Sequence, residues 1–253
     1  MNLKRLLPVV ALLLVATSMF AVPFMDGEKL TFDVKYGIVN AAQASIQVQT
    51  SLYQGKPVWY LSTNANTHKF FDKVFKIRDR VESWWDKETL LPYKFSKNLQ
   101  EGNYKQHRVH IYNHSTLKST YQTWNYKKSS FNNTVMNISP DTQDILSAFY
   151  SVRFARLVVG KSVFINITAD GREMRTEVVV HKREKVNTIF GTANCLMIEP
   201  LLRSDAVFKQ SGRILIWVTD DEYKIPVKME SKITIGSFVA YLTSASQVPL
   251  KIK

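Results

Sequence analysis

The 253-residue sequence holds a single cysteine, Cys195. One thiol cannot form an intrachain disulfide, so a disulfide framework is excluded even in an oxidising compartment. The thiol lies within the apolar stretch Ala193–Ile198 with no histidine close in sequence, which describes a buried, inert side chain and not an activated nucleophile. No cysteine lies near the end of the N-terminal apolar run, so a lipid-modified N-terminus is excluded too. Acidic residues are scarce: 21 Asp and Glu stand against 34 Lys and Arg, a formal charge of +13. There is no glycine-rich phosphate loop, no G-x-S-x-G and no H-E-x-x-H, which removes the common signatures of nucleotide binding, serine hydrolysis and zinc peptidases. Internal repeats, low-complexity tracts and long linkers are also missing.

What is present begins with an export signal. Lys4 and Arg5 precede an apolar run from Leu6 to Phe20, and Ala16, Ser18 and Ala21 offer small residues for cleavage. The run is short of the roughly 20 residues a bilayer span needs, so the layout reads as a signal peptide, with a retained anchor as the alternative. Residues 1–21 are expected to be removed, leaving 22–253 as one β-rich domain. A hydrophobic content of 45% with 12% aromatics argues for a real core and against disorder. The basic surplus favours anionic or amphiphilic envelope partners such as lipid headgroups, lipopolysaccharide or acidic glycans; export makes nucleic acid the poorest of them. The plain alternative is that the charge serves solubility. No cofactor is expected, and the sequence does not set the oligomeric state.

Period-two alternation dominates the rest. Leu30, Phe32, Val34 and Tyr36 point one way, and Thr31, Asp33 and Lys35 the other, the pattern of a half-buried strand. Ile38–Gln49 returns with Ala42, Ala44, Ile46 and Val48 on one face. Further strands are expected at Val58–Thr63, Ile77–Trp85, Tyr93–Leu99, Tyr104–Tyr112, Thr116–Tyr126, Ser162–Ala169 and Glu173–Lys182. Four more follow at Ala193–Leu201, Arg213–Thr219, Lys224–Lys232 and Thr234–Leu242. Compact polar breaks such as Ala169-Asp-Gly-Arg join them as antiparallel hairpins. One helix stands out over Ser139–Arg153, with Ser139 as cap, Pro140 at its first position and Ile145, Phe149 and Val152 on one stripe. A shorter helical turn fits Thr67–Phe75. The expected fold is mainly antiparallel β: a curved, incompletely closed barrel or sandwich of about 11–13 strands with one main helix.

Several stretches resemble a known family. They are Gly27-Glu-Lys-Leu-Thr-Phe-Asp-Val-Lys-Tyr-Gly37, Arg78-Asp-Arg-Val-Glu-Ser-Trp-Trp, Leu91-Pro92 and Asp144-Ile-Leu-Ser-Ala-Phe-Tyr-Ser-Val-Arg153. To these add Gly212 to Lys228 and Ile235-Gly-Ser-Phe-Val-Ala-Tyr-Leu242. Together they resemble the bacterial exported family called domain of unknown function 3108 over nearly all of the mature chain. That resemblance implies location and architecture, and no catalytic residues. More loosely, Trp217 followed by a polar turn and Ile225-Pro226-Val227 is similar to the periplasmic lipoprotein carriers, which implies a curved sheet with a helix in an apolar hollow.

Candidate chemistry is thin. His107, His110 and His114 invite a metal, but on a strand His107 and His110 face opposite sides, and His110 and His114 stand roughly 13 Å apart, far beyond chelating reach; solvated strand histidines are the expectation. Ser115-Thr-Leu-Lys118 matches S-x-x-K by spacing but lacks its partner motifs. The Tyr93–Phe131 segment interleaves aromatics with Lys94, Lys97, Lys105, Arg108, Lys118, Lys127 and Lys128. It reads either as an anion-facing sheet surface or as an ordinary hairpin pair with a solvated basic face. Asp79 falls on the apolar face of its strand and needs a partner, for which Arg153 is the candidate, as a structural ion pair or a ligand-orienting one. Arg213–Thr219 is apolar on both faces, so one face can pack on the helix while the other lines a hollow or fills a core. Tyr36, Ala42, Ala44, Tyr150, Arg153 and Trp217 are the candidate ligand-binding residues around that hollow. The favoured reading is a non-enzymatic periplasmic binding or carrier protein for an apolar or amphiphilic ligand. The alternative is an envelope scaffold with a solid core; an enzyme has only unpaired carboxylates and histidines in its favour. An outer-membrane barrel fails, because Lys228, Glu230 and Lys232 share one strand face where lipid would require apolar residues.

Overall fold

The structure, a computed structural model, describes residues 22–201, 213–232 and 236–249. The expected leader at 1–21 lies outside the described residues. The first eight strands form a meander: β1 (Lys29–Tyr36), β2 (Val39–Tyr53), β3 (Lys56–Thr67), β4 (Arg78–Asp86), β5 (Pro92–Glu101), β6 (Tyr104–Asn113), β7 (Lys118–Asn125) and β8 (Ser130–Asn137). A two-residue strand β9 (Gln143–Asp144) leads into the helix α1 (Ile145–Ser151). A second meander follows: β10 (Ser162–Ala169), β11 (Arg172–Thr188), β12 (Gly191–Leu201), β13 (Ile214–Thr219), β14 (Pro226–Lys232) and β15 (Ser237–Ser246). β15 pairs with β1, so all 15 strands form one sheet running from β8 back to β1 and then from β15 down to β9. Neighbours are antiparallel except the parallel pair β9–β10.

This topology puts alternate hairpin turns at opposite ends of the sheet. The β1–β2, β3–β4, β5–β6 and β7–β8 connections share one rim, and β2–β3, β4–β5, β6–β7 and β13–β14 share the other. The tight turns use residues that tolerate positive φ. Asp170 and Gly171 at φ 49° and 77° form the two-residue β10–β11 loop, the geometry that matches strand twist.

The sheet curls until its distant strands touch. Ser83 Oγ on β4 donates to Asp144 Oδ2 at 2.5 Å, and the Tyr112 hydroxyl on β6 meets Thr168 Oγ1 on β10 at 2.5 Å. Lys97 Nζ lies 3.0 Å from Asp170 Oδ1, and Arg108 pairs with the same carboxylate. No ladder joins β8 to β9, so the barrel stays open, as the curved, incompletely closed reading expects. Helix α1 plugs the interior. Its Leu146 and Tyr150 pack into the larger core with Phe24, Leu30, Phe32, Trp85 and Ile225. Val152, in the 3-10 turn Val152–Phe154 that follows, joins a second cluster with Val178, Val180, Ile198, Ile216 and Val218.

The helix is shorter than expected. Asp144, not Ser139, caps it, accepting from the amides of Leu146 and Ser147, both at 2.8 Å. Ser139 and Thr142 instead donate to the Glu173 carboxylate on β11, and Gln143 and Asp144 are drawn into the sheet against β10. The Thr67–Phe75 turn contracts to a 3-10 turn at Phe71–Lys73. Strands number 15 among the described residues, above the expected range, because β8 and the short β9 carry no apolar alternation to betray them. The expected strand at Thr234–Leu242 begins outside the described residues and is seen from Ser237 as β15.

Candidate functional site

Alternation along β13 sends Ile214, Ile216 and Val218 to one face and Leu215 and Trp217 to the other. The first face does not close on its neighbours. Between it and α1 lies a partly enclosed cavity of about 190 Å³. The helix side supplies Ile145, Ala148, Phe149 and Val152; the sheet side adds Ile165, Ile167, Val178 and Ile198. Cross-strand register assembles this wall: Ile198 stands opposite Ile216, Val178 opposite Pro200, and Val218 opposite Pro226. Each of these sheet residues is β-branched or a proline, short and stiff, so although Val152 and Phe149 pack against the wall at one place, space is left beneath the rest of the helix. The accessible lining is almost wholly apolar.

Two cations border this cavity, Arg153 and Lys224. Arg153 is already committed. Its Nη1 and Nη2 bind the two oxygens of Glu28 at 2.5 and 3.0 Å, Nη2 also donates to Pro23 O at 2.6 Å, and Nε donates to Tyr223 O at 2.8 Å. Arg153 and Glu28 are both buried. The pair clamps the segment before β1 to the end of the helical plug and to the β13–β14 loop. Lys224 donates to Arg153 O at 3.0 Å, which leaves two of its three N–H donors. Burial holds its pKa below the usual lysine value.

Of the residues singled out from sequence, Arg153 lines this cavity; Tyr36, Ala42, Ala44, Tyr150 and Trp217 do not. Trp217 lies on the opposite face of β13, where its Nε1 donates to Glu184 Oε1 at 2.6 Å. Tyr150 is fully buried in the main core, its hydroxyl beside Glu28, with its pKa pushed far up by burial. Ala42 is buried and Ala44 half-buried on β2, and Tyr36 stands at the rim, its ring 5.2 Å from that of Phe238. The Asp79–Arg153 pair is corrected: Asp79 accepts from Gln100 N at 2.9 Å and neighbours Glu101, and burial raises both carboxyl pKa values. Sequence reasoning missed Lys224 and the Ile214–Ile216–Val218 face as the lining. Nothing local to β13 marks the second, since both of its faces are apolar.

The histidines divide as their spacing predicts, but His110 is not solvated. It is 1% exposed, with Nδ1 3.1 Å from Ser119 Oγ and its ring 4.7 Å from that of Tyr121. Burial lowers its pKa to about 4. In the basic segment, Lys97 and Arg108 are spent on Asp170, and Lys94 lies 4.8 Å over the Trp84 ring. Among the described residues no three His, Cys, Asp or Glu side chains converge into a metal-holding group.

Comparison with known proteins places the architecture first. A crystal structure from Brucella abortus, a beta-barrel-like protein of the domain of unknown function DUF1849, superposes with a TM-score of 0.59 at 12% identity, covering 90% of this chain and 99% of that one. At that identity the likeness shows a shared beta-barrel-like fold and nothing more. A hypothetical protein from Chlamydia trachomatis aligns over 88% of this chain and 87% of its own at 8% identity, but its TM-score of 0.36 carries no argument. No curated protein matches. The chain belongs to the family described as protein of unknown function DUF3108, whose model matches residues 31–243.

Proposed function

We propose that this protein is an exported binding or carrier module that holds one apolar chain of an anionic amphiphile beneath α1. The observation that carries this reading is the 190 Å³ apolar cavity between helix and sheet, with Lys224 at its edge. Its size narrows the ligand. A cavity of about 150 Å³ takes up benzene, so this one takes a segment of a single acyl chain and not a two-chain lipid. Arg153 is saturated by Glu28 and two carbonyls, so the headgroup partner is Lys224, whose two remaining donors suit a carboxylate or phosphate. An anion arriving beside a partly desolvated lysine stabilises its charged form. The apolar leader and the basic composition support export and an anionic ligand.

The test is mass spectrometry of lipid extracted from the purified protein, with displacement of a fluorescent fatty acid. Ile216→Trp fills the cavity and Lys224→Glu repels the headgroup; each is expected to weaken binding at least tenfold without unfolding the chain. Absence of any co-purifying amphiphile together with no fatty-acid binding, or binding untouched by Ile216→Trp, would sink the reading and leave a scaffold with a filled core.

A further inference from the structure

The rim formed by the β1–β2, β3–β4 and β5–β6 connections exposes apolar side chains that a water-facing turn has no reason to carry. Ile38 is 97% exposed, Phe70 77% and Val74 78%. These turns are contiguous. His68 N donates to Ala41 O at 3.1 Å, Gly102 N donates to Lys76 O at 2.7 Å, and Phe75 lies against Gly102. Tyr36 and Phe238 extend the patch on one side and Tyr104 on the other, each at least 40% exposed. Away from this rim Met25, before β1, and Val158 and Val159, before β10, are exposed too, with Leu52 and Leu117 at the opposite hairpin turns, but none of these exceeds 67%. A contiguous patch of this exposure across adjoining turns is an interaction surface and not a scatter of tolerated exposure.

Charge identifies the occupant. Lys69, Lys73, Lys76 and Lys105 are exposed between these apolar tips, and Lys127 and Lys128 continue the row at the β7–β8 turn. The acid in the middle of the β3–β4 loop, Asp72, is neutralised by Arg78 at 2.5 Å. Apolar tips set among unpaired lysines match an anionic bilayer surface: the rings enter the acyl boundary while the lysine stems lie along it and their ammonium groups stay with the headgroups. A second copy of the chain would set the same lysines against each other. We propose that this rim docks the protein on anionic membranes, independently of the cavity beneath α1.

The test is co-sedimentation of the protein, purified from the cell envelope after any processing, with phosphatidylglycerol–phosphatidylcholine vesicles and with phosphatidylcholine alone. Binding is expected to the anionic vesicles, with slowed amide exchange over residues 68–76. The combined Ile38→Ser, Phe70→Ser and Val74→Ser variant should lose at least about tenfold in affinity with an unchanged unfolding midpoint. The combined Lys69→Glu, Lys73→Glu and Lys76→Glu variant should lose about a hundredfold, at roughly fivefold per lysine. Equal binding to neutral vesicles, binding unaffected by either variant, or a dimer broken by the apolar variant with no vesicle binding would overturn the proposal.

Discussion

Replacing Arg153 by Met is expected to be among the most damaging single changes in this fold. The guanidinium is 2% exposed and the Glu28 carboxylate fully buried, so the substitution leaves a charge in a dry core with no partner. It also strands the carbonyls of Pro23 and Tyr223. Breaking one side of a buried pair costs about 3–5 kcal/mol, against a typical total of about 5–15 kcal/mol. Glu28→Gln combined with Arg153→Met removes the orphan charge, so the double variant should cost about 2 kcal/mol less than the two singles together. The assay is urea unfolding of the four proteins of this cycle, followed by tryptophan fluorescence and circular dichroism. If Arg153→Met costs below about 1 kcal/mol, or the two changes simply add, then the clamp does not hold the segment before β1 onto the helical plug.

Acid response should be set by two buried groups with opposite signs. His110, its pKa lowered to about 4 by burial, with Asp170 opposing and Lys97 and Arg108 reinforcing the shift, binds fewer protons folded than unfolded, so its share of stability is full above pH 6.5 and is lost as pH falls towards 4. Asp144, raised to about 6 by burial, holds its proton more readily when folded and so favours the fold as pH falls through 6. His110→Phe should therefore gain on the wild type by something on the order of 3 kcal/mol between pH 7 and pH 4, read from unfolding midpoints across that range; parallel curves would contradict it. The Cys195 thiol is fully buried and pushed up to about 12, so it should resist iodoacetamide at pH 8 until the chain unfolds, and labelling of native protein would place it wrongly. Gly171→Ala should cost about 2–4 kcal/mol, because the added carbon would sit 2.7 Å from the Tyr121 ring at φ +77°. Gly55→Ala, at φ +79° with open space around it, should cost about 1 kcal/mol.

Alternation made most of the sheet legible, because one face of each strand is buried and the period of two cannot be mistaken there. It failed at β8, whose residues are exposed almost throughout and so show no apolar side. It also failed on β13, for the opposite reason. Both faces are apolar, and nothing local says which one meets the helix; Trp217, the larger residue, drew attention to the face away from the cavity. The helix start was misplaced because Ser139 and Thr142 satisfy a distant carboxylate on β11, a partner that no capping pattern can reveal. Long range hid the clamp as well. Glu28 and Arg153 are 125 positions apart, and Asp79, the carboxylate whose position drew notice, has its own neighbours.

The pairing of β1 with β15 sets the order in which this molecule can be finished. Lys29 faces Ser246, so β1 keeps one flank unsatisfied until β15 has been made. An unfinished edge of that kind is an invitation to wrong partners. A rearranged gene that fuses β15 directly to β1 and opens the chain between β8 and β9 would make every paired strand a neighbour in sequence, all of them hairpins except the parallel β9–β10 pair. It should reach the same shape faster, with less need of protection on the way.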